Sequence, residues 1–215
     1  MRILIVDDHG IVREGLKSLI EQHSEMEVIG EAKDGNMALQ LTKDLSPDVV
    51  IMDVSMPNLN GVEATKYITK QKPDVKVIIL SVHTDSNIVK ESLKAGASGY
   101  VLKSYLFDEL LNALKAVEVN ECYLSPRITG VVIDNYRTKQ APVTTQQPPN
   151  LTTRERQILQ LIAEGKTIKE IARAIHVSPK TADANRRQIM NKLGIFNIAE
   201  LTKYAIREGL TTLEF

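Results

Sequence analysis

Residues 47–61 read PDVVIMDVSMPNLNG, and the run Val49–Met52 inside them decides the fold. Four consecutive apolar residues, rich in Val and Ile and ended at once by Asp53, are too few for a buried helix. They fit a parallel strand covered on both faces. The same pattern recurs at Ile3–Val6, Glu27–Gly30, Lys76–Leu80 and Gly99–Leu102. Between these runs lie Ile11–Ile20, Asn36–Lys43, Val62–Thr69, Ile88–Ala95 and Phe107–Val117, each with apolar residues three and four apart. Leu16, Leu19 and Ile20 form one such stripe, and Leu110, Leu111, Leu114 and Val117 another. A (βα)5 series of this kind predicts an α/β domain over residues 1–120, a doubly wound parallel sheet with right-handed crossovers.

In an open sheet of that class, ligands bind beyond the carboxyl ends of the strands, at the topological switch point. The residues just after the strands are Asp7, Asp8, Asp53, Ser81 and Lys103. Three carboxylates converge there if the first and third strands are neighbours. Hard oxygen ligands of this sort suit Mg2+, which takes one or two carboxylates and phosphate oxygens and keeps several waters. With charge neutralised by the cation, the Asp53 carboxylate can attack a phosphoryl donor and form an acyl phosphate. Lys103 offers the phosphoryl group a point positive charge and the Ser81 hydroxyl a hydrogen bond. Any one of these residues alone has a blander explanation as a helix cap or a solvated charge; five suitable groups at strand ends do not.

Residues 121–150 differ in character. Ser125–Tyr136 has Ile128, Val131, Val132 and Asn135 at helical spacing, and Arg137–Asn150 is rich in Thr, Gln and Pro without glycine. This segment is expected to be a linker containing a helix. From Leu151 to the end the chain reads as four helices. Thr152 with Glu155, and Thr167 with Glu170, are capping boxes ahead of apolar runs. Ser178 followed by Pro179 is an N-cap with proline at the first helical position, opening a helix to about Leu193. A last helix from Ile198 to about Arg207 is closed by Gly209.

The formal net charge of zero conceals an asymmetry. Residues 1–150 carry 16 Lys and Arg against 20 Asp and Glu, a net of −4, and residues 151–215 carry 11 against 7, a net of +4. A small basic unit behind an acidic one hints at nucleic acid for the former. The single cysteine, Cys122, excludes an internal disulfide, and the opening apolar run, stopped by Asp7 and Asp8, is too short for a signal peptide. A cytoplasmic protein with no membrane partner is expected.

The stretches IVDDH (5–9), IMDVSMPNLNG (51–61), ILSVH (79–83) and GYVLKS (99–104) make residues 1–118 resemble the receiver domain of bacterial response regulators. The resemblance implies phosphorylation of Asp53 by a histidine kinase. It also implies Mg2+ held by Asp8, Asp53 and the backbone carbonyl of Ser55, with Asp7 acting through water. It further implies a switch in which Ser81 moves toward the phosphoryl group and Tyr100 turns inward. Ser55 and His83, two residues beyond Asp53 and Ser81, are placed to help or hinder an attacking water.

The stretches LTTRERQILQLIAEGKTIKEIARAIHVSPKTADANRRQIMNKLGI and AELTKYAIREGL make residues 151–215 resemble a LuxR-type helix-turn-helix domain. Together the two place the chain with response regulators of the NarL type, whose helix-turn-helix domains bind paired DNA half-sites as dimers. Helical spacing puts Ala182, Ile189 and Leu193 inward. Asp183, Ala184 and Arg187 are expected near bases, with Asn191 on the same outward side; Lys180, Thr181, Arg186 and Lys192 are expected at phosphates. Similar domains usually have Val at the place of Ala182 and His at that of Asn185, and an acidic Asp183 costs DNA affinity unless it meets a cytosine or a positive partner. The function expected is that of a transcription regulator bound to promoter DNA, not an enzyme. The competing readings are an Mg2+-dependent phosphotransfer enzyme, which lacks a second acid two residues after Asp53, and a DNA-binding module whose receiver is only a scaffold.

Overall fold

The computed structural model describes residues 1–138 and 151–211. Residues 139–150 of the expected linker therefore lie outside the described residues. The chain forms two compact units, one built on a sheet and one helical.

In the first unit, β1 (Arg2–Val6), β2 (Glu27–Ala32), β3 (Val49–Asp53), β4 (Lys76–Ser81) and β5 (Gly99–Leu102) alternate with α1 (Gly10–Ile20), α2 (Gly35–Leu45), α3 (Gly61–Gln71), α4 (Ser86–Lys94) and α5 (Leu106–Glu118). All pair in parallel, in the order β2-β1-β3-β4-β5, so β1 and β3 are neighbours. The central strands are apolar throughout because helices cover both faces. Ile3, Ile5, Val49, Ile51, Ile78, Leu80 and Val101 point to one face, against Leu16 and Ile20 of α1 and Leu110, Leu114 and Val117 of α5. The two stripes read from the sequence are those two helices' inner faces. The alternate residues Leu4, Val6, Val50, Met52, Val77, Ile79 and Tyr100 are just as fully buried on the other side.

One element is new. Tyr123–Leu124 forms a sixth parallel strand, β6, on the free edge of β5, and α6 (Pro126–Thr138) follows and packs against α4. Residues 121–134 thus belong to the sheet unit's structure rather than to a free connector. Ser125 fastens this extension: its N–H donates to the Tyr100 carbonyl at 2.9 Å, and its Oγ accepts from the Leu102 N–H at 3.0 Å. The same hydroxyl donates to the Glu109 carboxylate on α5.

The second unit comprises α7 (Thr153–Ala163), α8 (Ile168–Ala174), α9 (Pro179–Leu193) and α10 (Ile198–Arg207). Both capping boxes form, on Thr152 with Glu155 and on Thr167 with Glu170, and Ser178 caps α9 by accepting from the Thr181 N–H. Gly194 ends α9 with φ of 67°, the left-handed conformation that glycine adopts at least cost. Ile158, Leu159, Leu161, Ile171, Ala182, Ile189, Leu201 and Ala205 form its core.

Candidate functional site

Register places the first site. Asp53 ends β3 opposite Leu80, one residue short of Ser81, while Ser81 sits opposite Leu102, one residue short of Lys103. Asp7 and Asp8 follow β1 on the other side of β3. The Lys103 ammonium bridges two of the carboxylates, at 2.7 Å from Asp7 Oδ2 and 2.9 Å from Asp53 Oδ1. Asp7 is fully buried, and its second oxygen accepts from the His9 N–H at 2.9 Å. Asp8 is the exposed member of the group, and His9 Nδ1 lies 2.8 Å from its Oδ1. The five residues singled out from the strand ends therefore lie together at the carboxyl end of the sheet.

Three carboxylates against one ammonium leave this pocket short of positive charge. Burial pushes the Asp53 carboxyl up to about 6; Lys103 pulls it down, and Asp7 and Asp8 push it up further. Burial alone would lower Lys103, but Asp53 and Asp7 beside it hold its ammonium above the usual lysine range. One ligand atom from each of Asp7, Asp8, His9 and Asp53 lies within 4.8 Å of the others, close enough to share one cation. Asp7 has both oxygens engaged, one by Lys103 and the other by the His9 N–H.

The loops around the pocket are tightly fitted. A Cβ on Gly61 would stand 1.9 Å from the Asp53 backbone oxygen and 2.8 Å from its carbonyl carbon, so only glycine lets α3 begin this close to Asp53. The Ser81 hydroxyl accepts from the His83 N–H at 2.9 Å, and Ser55 Oγ lies 3.2 Å from His83 Nε2. Tyr100 lies inside the unit with its hydroxyl donating to the His83 carbonyl at 2.9 Å, and burial pushes its phenol up to about 12. Three residues carry contacts that sequence reading gave no role: His9, Arg13, whose Nη1 donates to the Asp7 carbonyl at 2.8 Å, and Gly61. For Arg13 the signal was present, since α1 begins beside Asp7 and a basic residue one turn in can reach back to it.

The second candidate site is the outer face of α9. Ala182 and Ile189 are fully buried, and Leu193 packs against the same core. Lys180, Thr181, Ala184, Arg187, Asn191 and Lys192 are exposed, and Asp183 and Arg186 are half-buried. Several of these groups are engaged within the unit. Thr181 Oγ1 is 2.8 Å from the Ser178 hydroxyl in the cap. Lys192 reaches Glu155 Oε1 at 2.7 Å. Burial would raise Glu155, but Lys192 and the Thr152 backbone and hydroxyl bonds outweigh it and hold the carboxyl below its usual range. Asp183 has found positive partners: its Oδ1 is 2.7 Å from Arg186 Nη2 and its Oδ2 is 2.8 Å from Arg187 Nη2. Ile198 is exposed and Thr202 and Ile206 half-buried, along one side of α10.

Comparison with known proteins identifies the family of each half of the chain. Residues 3–115 match the family model described as response regulator receiver domain, and residues 149–205 match that of bacterial regulatory proteins, luxR family. The chain is 35% identical to the response regulator UvrY of Escherichia coli K12, over 100% of this chain and 97% of that protein. It is 37% identical to the transcriptional regulatory protein LiaR of Bacillus subtilis, over 98% of this chain and 99% of LiaR. Among solved structures, the response regulator RcsB of Salmonella typhimurium is similar with a TM-score of 0.60 at 28% identity, covering 95% of this chain and 97% of that one. An RcsB–DNA complex is similar with a TM-score of 0.60 at 27% identity, covering 97% of this chain and 98% of that one.

Proposed function

The chain belongs to the response regulators that join a receiver domain to a LuxR-type DNA-binding domain, and on that premise we propose that phosphorylation of Asp53 controls its binding to promoter DNA. The observation that carries this reading is the meeting of Asp53, Asp7, Asp8 and Lys103 at the carboxyl ends of β1, β3 and β5. An oxygen of the Asp53 carboxylate attacks the phosphorus of a phosphohistidine on a partner kinase. The P–N bond breaks, the imidazole leaves with the bonding pair and takes up a proton, and Asp53 becomes an acyl phosphate.

Asp8, Asp53 and the Ser55 carbonyl would hold Mg2+, with Asp7 acting through water, and the ion would supply charge neutralisation to the transferring phosphoryl group. The donor set fits it: the oxygens are hard, and the pocket holds three carboxylates to one ammonium. Lys103 holds one phosphoryl oxygen and Ser81 donates to another once its hydroxyl turns from the His83 amide. That movement drags the loop bearing His83, whose carbonyl holds Tyr100. A phosphoryl group adds about −1.5 to −2 charges, enough to bias such a loop between two arrangements. The outer face of α9 enters the major groove, with a homodimer spanning two half-sites. The chain is thus a phosphoryl acceptor and regulator rather than an enzyme with a substrate of its own. No helix among the described residues is long and apolar enough to cross a membrane.

The test is to incubate the protein with acetyl phosphate and Mg2+ and to follow intact mass and DNA footprints together. A gain of one phosphoryl mass, lost in Asp53→Ala, with a footprint that strengthens on phosphorylation, is the expected result. A footprint indifferent to phosphorylation refutes the switch.

A further inference from the structure

Helical geometry sorts the charges of α9 more finely than exposure does. At about 100° per residue, Lys180, Ala184, Arg187 and Asn191 fall within roughly 140–200° of the buried Ala182. Arg186 lies only about 40° from Ala182, and Asp183 about 100°, at the rim between the two faces. The accessibilities agree: the Arg186 side chain is 31% exposed, Asp183 27% and Arg187 73%. One carboxylate therefore ties an arginine rooted against the wall of the unit to an arginine standing on the face that meets DNA, at 2.7 and 2.8 Å.

We propose that Asp183 is a specificity-determining residue: it fixes the Arg187 guanidinium for reading a guanine and withholds Arg186 and Arg187 from indiscriminate phosphate contact. The proposal rests on the DNA-binding reading of α9 given above. Asp183 engages one Nη of Arg187, and a guanidinium has five N–H donors in a planar fork, so a fork edge is left for the O6 and N7 acceptors of guanine. An arginine so held loses less freedom on meeting its base than one waving in solvent. Arg186 is a positioning residue: it fills one carboxylate oxygen and stops Asp183 from swinging toward water.

The second consequence concerns background binding. The cations Lys180, Arg186, Arg187 and Lys192 would give α9 a formal +4. Asp183 on the two arginines and Glu155 on Lys192 offset two of those charges. Sequence-independent affinity comes from neutralising phosphates and falls with salt in proportion to their number. A recognition helix with half its charge offset within its own unit binds random DNA weakly and depends on its base contacts for hold.

The test uses the full chain phosphorylated with acetyl phosphate and Mg2+, selected on a random-sequence duplex library, with salt titrations on the unselected pool. Asp183→Asn is expected to bind the random pool more tightly, with a log–log salt slope steeper by about 0.9 for each arginine released. Its preference at one G·C pair in each half-site is expected to flatten by about 5- to 100-fold. Arg187→Lys, which keeps the charge and loses the fork, is expected to lose the same preference with its random-pool affinity little changed. Circular dichroism on each variant establishes that α9 is retained. An Asp183→Asn variant with wild-type slope and base preference overturns the proposal. So does one that loses a cytosine preference together with affinity, since Asp183 would then be reading the base itself. A phosphorylated wild type that retains no duplex at all overturns the DNA-binding reading as well, and is told apart by the wild-type arm alone.

Discussion

Replacing Asp53 by Asn removes one of the two carboxylates bridged by the Lys103 ammonium, and the substitution is expected to stabilise the protein. The carboxyl titrates at about 6 in the fold against an ordinary value of 3.8, chiefly because it is buried. Between those values the folded state binds more protons than the unfolded state, so this group's contribution to stability falls as pH rises. The full shift of about two units corresponds to a penalty of about 3 kcal/mol once pH exceeds the folded value. Asparagine is nearly isosteric and carries no charge, so the variant escapes that penalty. The gap between variant and wild type should be about 1 kcal/mol near pH 4.5, and should widen to about 3 kcal/mol near pH 7.5.

Urea unfolding in the presence of EDTA measures this directly. There is no tryptophan, and five of the six tyrosines (67, 100, 105, 123 and 136) fall in the first 138 residues, so tyrosine fluorescence follows mainly the sheet unit. Added Mg2+ should close the gap, because a cation held at 100 times its dissociation constant stabilises the wild type by about 2.7 kcal/mol and the variant by less. An Asp53→Asn protein no more stable than wild type near pH 7.5, or one whose advantage ignores pH, refutes the reasoning. In that event Lys103 would more than repay the burial of Asp53.

Three further outcomes follow from single contacts. Gly61→Ala sets a methyl 1.9 Å from the Asp53 backbone oxygen, so the strand end must move; misplacing a reacting group by about 1 Å costs about 100-fold in rate, and a time course of phosphoryl mass gain within twofold of wild type would contradict it. Ser125→Ala strips the Leu102 N–H and the Glu109 carboxylate of a buried partner; a loss of about 1–3 kcal/mol is expected, seen as faster amide exchange at Leu102, and unchanged protection there would show that the hydroxyl does not hold β6 in place. Lys192→Ala frees Glu155, whose depressed carboxyl stabilises the second unit above its unfolded pKa and ceases to do so as pH falls through the folded value; the variant's α7 amides should lose protection at neutral pH and show a shallower acid-side decline, against an equal decline if the pair is incidental.

The local part of this molecule was legible because its causes are local. Val49–Met52 declares a buried strand by itself, and Thr152 with Glu155 or Ser178 with Pro179 declares a helix start within four residues. Asp53, Ser81 and Lys103 could be nominated together because a parallel sheet delivers the residue after every strand to the same edge. β6 could not be read this way. Tyr123–Leu124 is too short to show a period, and it is a strand only because β5 offers an unpaired edge and Ser125 locks the junction to Tyr100, Leu102 and Glu109. Nor could the Lys192–Glu155 pair, whose partners lie 37 residues apart.

Asp183 falls between these cases. Its arginines stand three and four residues on, a spacing at which opposite charges on a helix meet, so the positive partner that sequence reasoning required for Asp183 could have been named as Arg186 and Arg187. What the structure adds to that spacing is that both arginines meet the same carboxylate, one half-buried and one exposed, which turns a pair of surface ion contacts into a directed bracket. Exposed pairs of this type contribute under about 1 kcal/mol each to stability. Too weak to hold the fold, the bracket is still of the right size to alter base preference, where a single bidentate contact is worth about 1–3 kcal/mol. Its consequence is therefore expected in what the protein reads rather than in how firmly it folds.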